Sequence, residues 1–304
     1  EPSDALMRLL RIGASQLASC VALGETSGQL TADIAQATGL PFRTPVHLAG
    51  PDAQAAGVGC GAVVAGSAHV AAGWSAPIQV TTSKPTFDEH MRTWADSHAI
   101  PGQWVVEANP GDTGRTTDTV RRVLGKRISI DRFYSLACET GQNEVLANAF
   151  LGPRALNLSD PGMTMGGILT PVPITQEKLD AAVIASATLN NVAFAIREGI
   201  ELAREVAGVQ ASPVALSGGM SQSSTFSTLL ANTLGEPVRV QPHSTAIGAA
   251  LIATTLRQEL GSRAAELANL GVIVNPNRSS LEGEERYTRW LRLRAKLDAL
   301  ADEL

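Results

Sequence analysis

The sequence predicts an α/β fold, because short apolar runs and helical patterns alternate along its last third. The run Val214-Ala-Leu is followed by a predicted helix over residues 224–234, the run Val238-Arg-Val, and a second predicted helix over 245–260. Alternating strands and helices are typical of a sheet covered by helices. The composition agrees, since 44% of the 304 residues are hydrophobic and 17% are charged, which suits a packed core.

The first third of the chain indicates two helices, a strand and a close helical contact. Apolar residues recur at helical spacing over residues 4–18, and a short helix is predicted from Thr31 to Gly39. Residues 46–49 are predicted to form a buried strand. Residues 53–66 have the pattern of a helix of small residues, whose glycines lower its stability unless another backbone packs closely against it. We therefore expect a tight interface there.

The middle of the chain combines a hairpin with helices and a long loop. Two β-like runs over residues 68–72 and 77–82 are separated by Gly73-Trp74-Ser75, which predicts an antiparallel hairpin. The other predicted elements are helices at 116–124, 130–139 and 176–207, an extended surface loop at 152–173, and a charged outer helix from residue 282 onward. The glycines predicted to end the long helices are Gly208, Gly235 and Gly261.

Composition and spacing exclude several classes of function. The net charge of -5 and the scattered basic residues argue against a nucleic-acid partner. The three cysteines, Cys20, Cys60 and Cys138, lie far apart, so no disulfide framework is predicted and a reducing cytoplasm is expected. Neither they nor the histidines show metal-ligand spacing. The most apolar stretch, residues 57–74, falls short of the ~20 uninterrupted apolar residues of a membrane span.

The N-terminus suggests that the sequence is part of a longer protein. Glu1 is not an initiator Met, and the residues after it lack the basic and apolar pattern of a signal peptide. We therefore expect further chain before Glu1.

Two loops about 165 residues apart are candidate functional elements. Residues 45–52 end in a Gly-containing turn with the carboxylate of Asp52, and residues 214–223 expose bare backbone at Gly218 and Gly219. A carboxylate at the end of a strand can act as a general base, whereas glycines before a helix let backbone approach a nucleotide closely. The residues alone leave simpler alternatives open. Asp52 is equally suited to cap the following helix, and Gly218 and Gly219 are equally suited to an ordinary strand-to-helix turn.

Seven segments in one order carry a family resemblance. They are Ala49-Gly50-Pro51-Asp52 with the following helix, Gly73-Trp74-Ser75-Ala76, Glu107 to Gly114, Gly152-Pro153-Arg154, Ser217-Gly218-Gly219, Gly248-Ala249-Ala250, and Pro276 with Tyr287. Together they resemble the FGGY family of carbohydrate kinases, members of the actin and hexokinase superfamily. A single strand-Gly-Gly-helix turn occurs in many α/β folds, but seven matches in the right order are hard to produce by chance.

The resemblance implies an actin-like (ribonuclease H-like) ATPase fold, in which a mixed sheet is flanked by helices. Residues 1–66 resemble only the end of the family's first, sugar-binding domain, and residues 67–304 resemble its second, nucleotide-binding domain in full. The implied activity is transfer of the γ-phosphate of ATP, with Mg²⁺, to a hydroxyl of a small sugar or polyol that is pentulose-like, xylulose-like or glycerol-like. The family also suggests a homodimer.

The resemblance also assigns roles to residues. Asp52 would take the hydroxyl proton, and Asp52 with Arg154 would contact the substrate. The residues expected at the nucleotide are Ser75, Gly114, Gly218, Gly219, Met220 and Ser223. Two departures point to an alternative: Trp74 stands where the family has a phosphate-binding Thr, and Pro51 replaces a glycine beside the base. That alternative is a catalytically weakened protein that binds sugar or nucleotide, or an inactive fragment.

Overall fold

A seven-stranded mixed sheet organises the chain. The structure is a computed structural model, and it describes residues 3–140, 148–150, 166–170, 172–173, 179–210, 213–278, 280–301 and 303. The strands are β1 (Thr26–Gln29), β2 (Pro45–His47), β3 (Ala68–Ala71), β4 (Ile78–Thr82), β5 (Trp94–Ser97), β6 (Trp104–Ala108), β7 (Asn148–Phe150), β8 (Gly167–Leu169), β9 (Val214–Ser217), β10 (Val238–Val240) and β11 (Val272–Val274). The helices are α1 (Asp4–Leu10), α2 (Ala32–Thr38), α3 (Asp52–Gly59), α4 (Gly114–Leu124), α5 (Ile130–Ala137), α6 (Ala181–Ala207), α7 (Ser224–Leu234), α8 (Ser244–Thr254), α9 (Leu260–Leu267) and α10 (Ser280–Ala301).

The strand order confirms the α/β prediction and gives a mixed sheet flanked by helices. The order is β11-β10-β9-β3-β4-β6-β5, in which β9 runs parallel to both β10 and β3, whereas the other neighbours are antiparallel. The predicted hairpin is β3 and β4, with Val70 opposite Ile78. Within the described residues, two small antiparallel pairs, β1 with β2 and β7 with β8, stand apart from this sheet.

One face of the sheet packs against α6 and α7 and forms the main apolar core. Side chains alternate between the two faces of a strand, so Val70, Ile78 and Val106 all point to this side. They meet Leu189 and Ile196 of α6 in one buried cluster. Complete burial of such side chains stabilises the fold by about 1.5–3 kcal/mol each. This apolar layer between the sheet and the helices stabilises the sheet.

The other face of the sheet is covered by α3, against which α8 and α9 pack, and the prediction of a tight interface there is confirmed. A Cβ atom built on Gly59 of α3 would lie 1.9 Å from the carbonyl oxygen of Ser244, and one built on Gly248 of α8 would lie 1.8 Å from that of Ala55. Only glycine permits backbones to approach so closely. The helices α3 and α8 are therefore in direct backbone contact.

Several helix ends agree with the prediction. The helix α7 has the predicted bounds and is followed by Gly235 at φ 67°, and Gly208 ends α6 at φ 68°. Glycine adopts this left-handed conformation without the strain that a side chain brings. The strand β10 also has the predicted bounds.

Other element predictions were wrong, for identifiable reasons. The strand at 46–49 is β2, and its Val46 is exposed because β2 pairs only with β1 and no described layer covers that pair. The small-residue helix ends at Gly59, before Gly61 takes a positive φ beside the backbone of Ala264. The helix predicted at 245–260 is interrupted at Thr255, which is extended, so Gly261 lies inside α9 instead of ending α8.

The C-terminal part differs in two further ways. The helix α10 is charged, yet it buries Tyr287 and Trp290 in an aromatic cluster with Phe194, so it is part of the core. Most of the predicted loop at 152–173 lies outside the described residues, but residues 167–169 form the strand β8. In the described part of the chain, none of the helices combines the length and the apolar character needed to cross a membrane.

Candidate active site

Asp52 is the first residue of α3, and its carboxylate is exposed. Its Oδ1 accepts a hydrogen bond from the backbone N–H of the adjacent Ala53 at 2.8 Å, and Pro51 occupies the helix cap position. A capping side chain instead accepts a bond two or three residues into the helix. Gly50 shapes the preceding turn at φ 78°. The carboxylate therefore remains accessible to a bound ligand.

Glu107 is a second carboxylate in this region, and the sequence indicated it only as one member of a segment. It lies on β6 opposite Gln79, whose Nε2 donates to Glu107 Oε2 at 2.7 Å. Burial raises the pKa of Glu107, the Gln79 hydrogen bond opposes that rise, and the nearby carboxylates of Asp96 and Asp52 add to it. Asp52 and Glu107 thus share one electrostatic environment. The sequence feature that could have identified Glu107 is a charged residue within an otherwise apolar strand.

Three turns meet at the same end of the sheet. The N–H of Gly114 donates to the carbonyl of Gly73 at 3.0 Å, and that of Thr113 donates to the carbonyl of Trp74 at 2.9 Å. On the other side, the N–H of Met220 donates to the carbonyl of Ala72 at 3.0 Å. The hairpin turn, the start of α4 and the turn after β9 are therefore joined by backbone hydrogen bonds. The candidate residues Ser75, Gly114, Gly218, Gly219 and Met220 all belong to these turns.

The three candidate glycines of these turns, Gly114, Gly218 and Gly219, serve different purposes. A Cβ atom on Gly114 would lie 2.3 Å from the carbonyl oxygen of Gly73, and one on Gly218, at φ 86°, would lie 2.4 Å from that of Ala72. Both glycines are required by the contact between the turns. A Cβ atom on Gly219 would have no neighbour within 4 Å. Within the described residues, the N–H groups of Gly218 and Gly219 have no hydrogen-bond partner, so this turn faces open space with free donors.

The side chains of the remaining candidate residues differ in their contacts. The Met220 side chain is buried in the apolar core, so only the backbone of Met220 contributes to the turn. Ser223 caps α7, since its Oγ accepts a hydrogen bond from the N–H of Phe226 at 3.3 Å. Ser75 is half-buried, and its hydroxyl makes no hydrogen bond with another described residue. Arg154 lies outside the described residues.

Trp74 projects from the hairpin turn, with 64% of its surface exposed. The guanidinium carbon of Arg115, at the start of α4, lies 5.6 Å from the centre of the Trp74 ring. Arg115 also pairs with Asp112 at 3.4 Å. A cation therefore stands beside the turn that carries Trp74.

The buried histidines near this site are held neutral. Burial lowers the pKa of His69 to about 3, and the His69 Nε2 lies 2.9 Å from the Oγ of Ser217. Burial likewise lowers the pKa of His98 to about 4. Within the described residues, no group of three or more His, Cys, Asp or Glu side chains is arranged to hold a metal ion.

Comparisons with known proteins identify the family. The model for the FGGY family of carbohydrate kinases, C-terminal domain, matches residues 70–256. Autoinducer-2 kinase from Yersinia enterocolitica is 30% identical over an alignment that covers 82% of this chain and 49% of that protein. The chain thus spans about half the length of that curated relative.

Solved structures show the same fold. A xylulose kinase from Rhodospirillum rubrum has a TM-score of 0.75 at 20% identity, over 99% of this chain and 61% of that one. A glycerol kinase from Plasmodium falciparum, solved with ADP, has a TM-score of 0.74 at 13% identity, over 98% and 60% of the two chains. These neighbours confirm the predicted actin-like ATPase fold. With the family match over residues 70–256, they show that the chain belongs to the FGGY family of carbohydrate kinases.

Proposed function

We propose that this chain is part of an ATP-dependent kinase that transfers the γ-phosphate to a hydroxyl of a small sugar or polyol. The supporting observation is the carboxylate of Asp52, which is exposed at the start of α3 and is bonded only to the adjacent N–H within the described residues. Transfer to a hydroxyl needs a base that accepts the hydroxyl proton. Asp52 is the proposed base, and Arg154 is proposed to join it in binding the substrate.

The proposed nucleotide site is the group of turns at the end of the sheet. Its proposed members are Ser75, Gly114, Gly218, Gly219, Met220 and Ser223. The open space beside Gly219 and the free N–H groups of Gly218 and Gly219 support this assignment, since such a turn admits a ligand close to the backbone. Mg²⁺ is proposed to arrive with the nucleotide, because proteins usually bind it through one or two carboxylates and the substrate phosphates.

The proposed domain division follows the family plan. Residues 1–66 are proposed to end a first, sugar-binding domain, and residues 67–304 to form the nucleotide-binding domain. Large apolar side chains are exposed in the first of these parts, among them Leu9, Phe42 and Val46. Such exposure is typical of a surface that another part of a protein covers. A cytoplasmic location suits a consumer of ATP and fits three free cysteines, whereas the homodimer stays a prediction.

The substrate is proposed to be a pentulose-like, xylulose-like or glycerol-like molecule. The test is ADP release by the full-length protein, with Mg²⁺ and ATP, over a panel of ketoses, polyols and glycerol. We expect one member of the panel to raise ADP release at least tenfold above the rate without acceptor, and the product to carry one phosphate by mass. Release that no acceptor raises would contradict the proposed function.

A second candidate is a sugar or nucleotide sensor that does not transfer phosphate. The observation in its favour is Trp74, exposed at the turn where the family has a phosphate-binding Thr and stacked beside Arg115. An indole N–H only donates, so it does not replace a hydroxyl. Calorimetry separates the two functions, because tight binding of sugar or ATP without turnover supports the sensor and measurable phosphorylation excludes it.

A further inference from the structure

The α3-facing side of the sheet contains a carboxylate that the proposed proton transfer does not use. Glu107 is partly buried on β6, beside Gln79 of β4 on one side and opposite Trp94 of β5 on the other. Charged side chains are rarely buried without a partner. Glu107 keeps part of its surface exposed and is not among the buried atoms without a partner, so a ligand can reach its carboxylate.

The hydrogen bonds of Glu107 leave one carboxylate oxygen free. Its Oε2 accepts from Gln79 Nε2 at 2.7 Å, and no other described residue donates to this carboxylate. None of the described cations forms an ion pair with it. An ionised carboxylate accepts about four hydrogen bonds, so the capacity of Glu107 is largely unused. A ligand hydroxyl would supply the missing donor.

Gln54 is a second unsatisfied group on the same side. It is 4% exposed, yet its Oε1 has no hydrogen-bond partner, and its carboxamide makes no bond within the described residues. Gln54 precedes Gly57 by three positions on α3, and residues so spaced share one face of a helix. A Cβ atom on Gly57 would lie 3.6 Å from Gln79 Oε1. Gln54 therefore lies on the side of α3 that faces Gln79 and Glu107.

The charge of this region selects the type of ligand. The nearby negative charges of Asp96 and Asp52 raise the pKa of Glu107, and no described cation pairs with Glu107, which disfavours an anionic group beside it. No described group of acidic residues forms a metal site. Neutral hydroxyls, which both donate and accept hydrogen bonds, fit a carboxylate and a carboxamide.

We propose that Glu107, oriented by Gln79 and assisted by Gln54, accepts a hydrogen bond from a substrate hydroxyl other than the one that is phosphorylated. This proposal rests on the proposed kinase function and on Asp52 as the base. Glu107 would then be a specificity-determining residue for a polyhydroxylated substrate. A site built to bond a hydroxyl discriminates strongly against an analogue that lacks it, because a buried polar group is left unpaired.

The experiment compares Glu107→Gln with the unchanged full-length protein on the best acceptor and on its singly deoxygenated analogues. We expect KM for the acceptor to rise about 10- to 100-fold, the range for a hydrogen bond to a charged group, while kcat changes less than about threefold. We also expect one deoxy analogue that the unchanged protein discriminates against to lose that disadvantage in the variant. Glu89→Gln, at an exposed position, is the matched control.

Two readouts keep this inference separate from the proposed function. The Gln side chain of Glu107→Gln has the same shape as Glu, and its carbonyl still accepts the hydrogen bond from Gln79. Thermal unfolding checks that the variant is folded. Calorimetric binding of the sugar needs no turnover, and an unchanged sugar Kd in Glu107→Gln would overturn the inference. Sugar binding that depends on Glu107 without any phosphorylation would instead contradict only the proposed kinase function. A fall in kcat with unchanged KM and unchanged analogue ranking would also overturn the inference.

Discussion

The two faces of the central sheet differ, although the same strands build both. Toward α6 the strands present Val70, Ile78 and Val106, which pack into one apolar cluster. Toward α3 the residues next to them in sequence include the polar side chains of His69, Gln79 and Glu107. The α6 face therefore supplies stability through buried apolar surface, whereas the α3 face supplies chemical groups and is held by close backbone contact.

Buried polar atoms without a hydrogen-bond partner are found on both sides of the sheet, since Asn191 Nδ2 of α6 is one of them, and several lie on the α3 side. The buried atoms Gln54 Oε1, His69 Nδ1 and Gln241 Oε1 have no hydrogen-bond partner in the described part of the chain. Leaving such an atom unpaired costs about 1–3 kcal/mol each. Proteins retain costs of this kind mostly where a site needs the group. Substitutions on each face test this difference.

Two substitutions on one strand compare the faces directly. Ile78→Ala removes a completely buried side chain on the α6 face and is expected to lower the free energy of unfolding by about 2–5 kcal/mol. Thr81→Ala removes a hydroxyl on the α3 face that donates to the carbonyl of Ala62 at 2.9 Å, with an expected loss of about 1 kcal/mol. Urea denaturation measures both. Equal losses would contradict the division between the faces.

Gly248→Ala tests whether backbone contact holds the α3 face. The added methyl group would lie 1.8 Å from the carbonyl oxygen of Ala55, so α8 must move away from α3. We expect a loss of about 3 kcal/mol in the free energy of unfolding, toward the upper end for overpacking. Gly28→Ala is the control, because a Cβ atom there meets nothing within 4 Å. A stable Gly248→Ala variant would show that this contact is dispensable.

The buried His69 gives the α3 face a dependence on pH. Its folded pKa of about 3 lies below the ordinary value near 6.5, so the unfolded chain binds a proton that the folded chain does not. The contribution of neutral His69 to the free energy of unfolding is therefore fully present above about pH 6.5. It is lost as the pH decreases toward 3, by up to about 1.4 kcal/mol per pH unit. Replacing His69 with Gln should flatten the slope of unfolding free energy against pH. His90→Gln, at an exposed position, is the control variant.

Gly219→Ala tests the turn after β9, which is proposed to bind the nucleotide. Its Cβ atom enters open space, so we expect the free energy of unfolding to change by less than about 0.5 kcal/mol. The methyl group would occupy space proposed for the nucleotide, and the Kd for ATP should rise about tenfold, equivalent to about 1.4 kcal/mol. Gly218→Ala should instead unfold more easily, because its Cβ atom meets the backbone of Ala72. Unchanged ATP affinity in folded Gly219→Ala would place the nucleotide elsewhere.

The sequence predicted the elements that local chemistry determines. The helix α7 and its terminal Gly235 follow from periodicity and the left-handed preference of glycine, and both are confirmed. The interruption of the predicted 245–260 helix was missed, because it depends on the packing of Leu260 in a cluster with Val58 of α3. Tertiary contacts overrode a continuous helical pattern there.

The candidate site was predictable to a similar extent. Asp52 and Gly219 were identified as candidates because each stands in a turn next to a strand. Glu107 was not singled out, since its distinctive feature is a hydrogen bond to Gln79, 28 residues away in sequence. Short strands such as β5 and β11 were missed as well, because the sheet that contains them is assembled from distant segments.

The most direct test of the central claim is the rate of phosphate transfer by Asp52→Asn in the full-length protein. The amide cannot accept the hydroxyl proton, so kcat should fall by about 10²- to 10⁴-fold, with thermal stability and the Kd for ATP unchanged. Asp33→Asn, at an exposed position on α2, is the matched control and should keep its full rate. If Asp52→Asn retains the rate of the unchanged protein on its best acceptor, Asp52 is not the base.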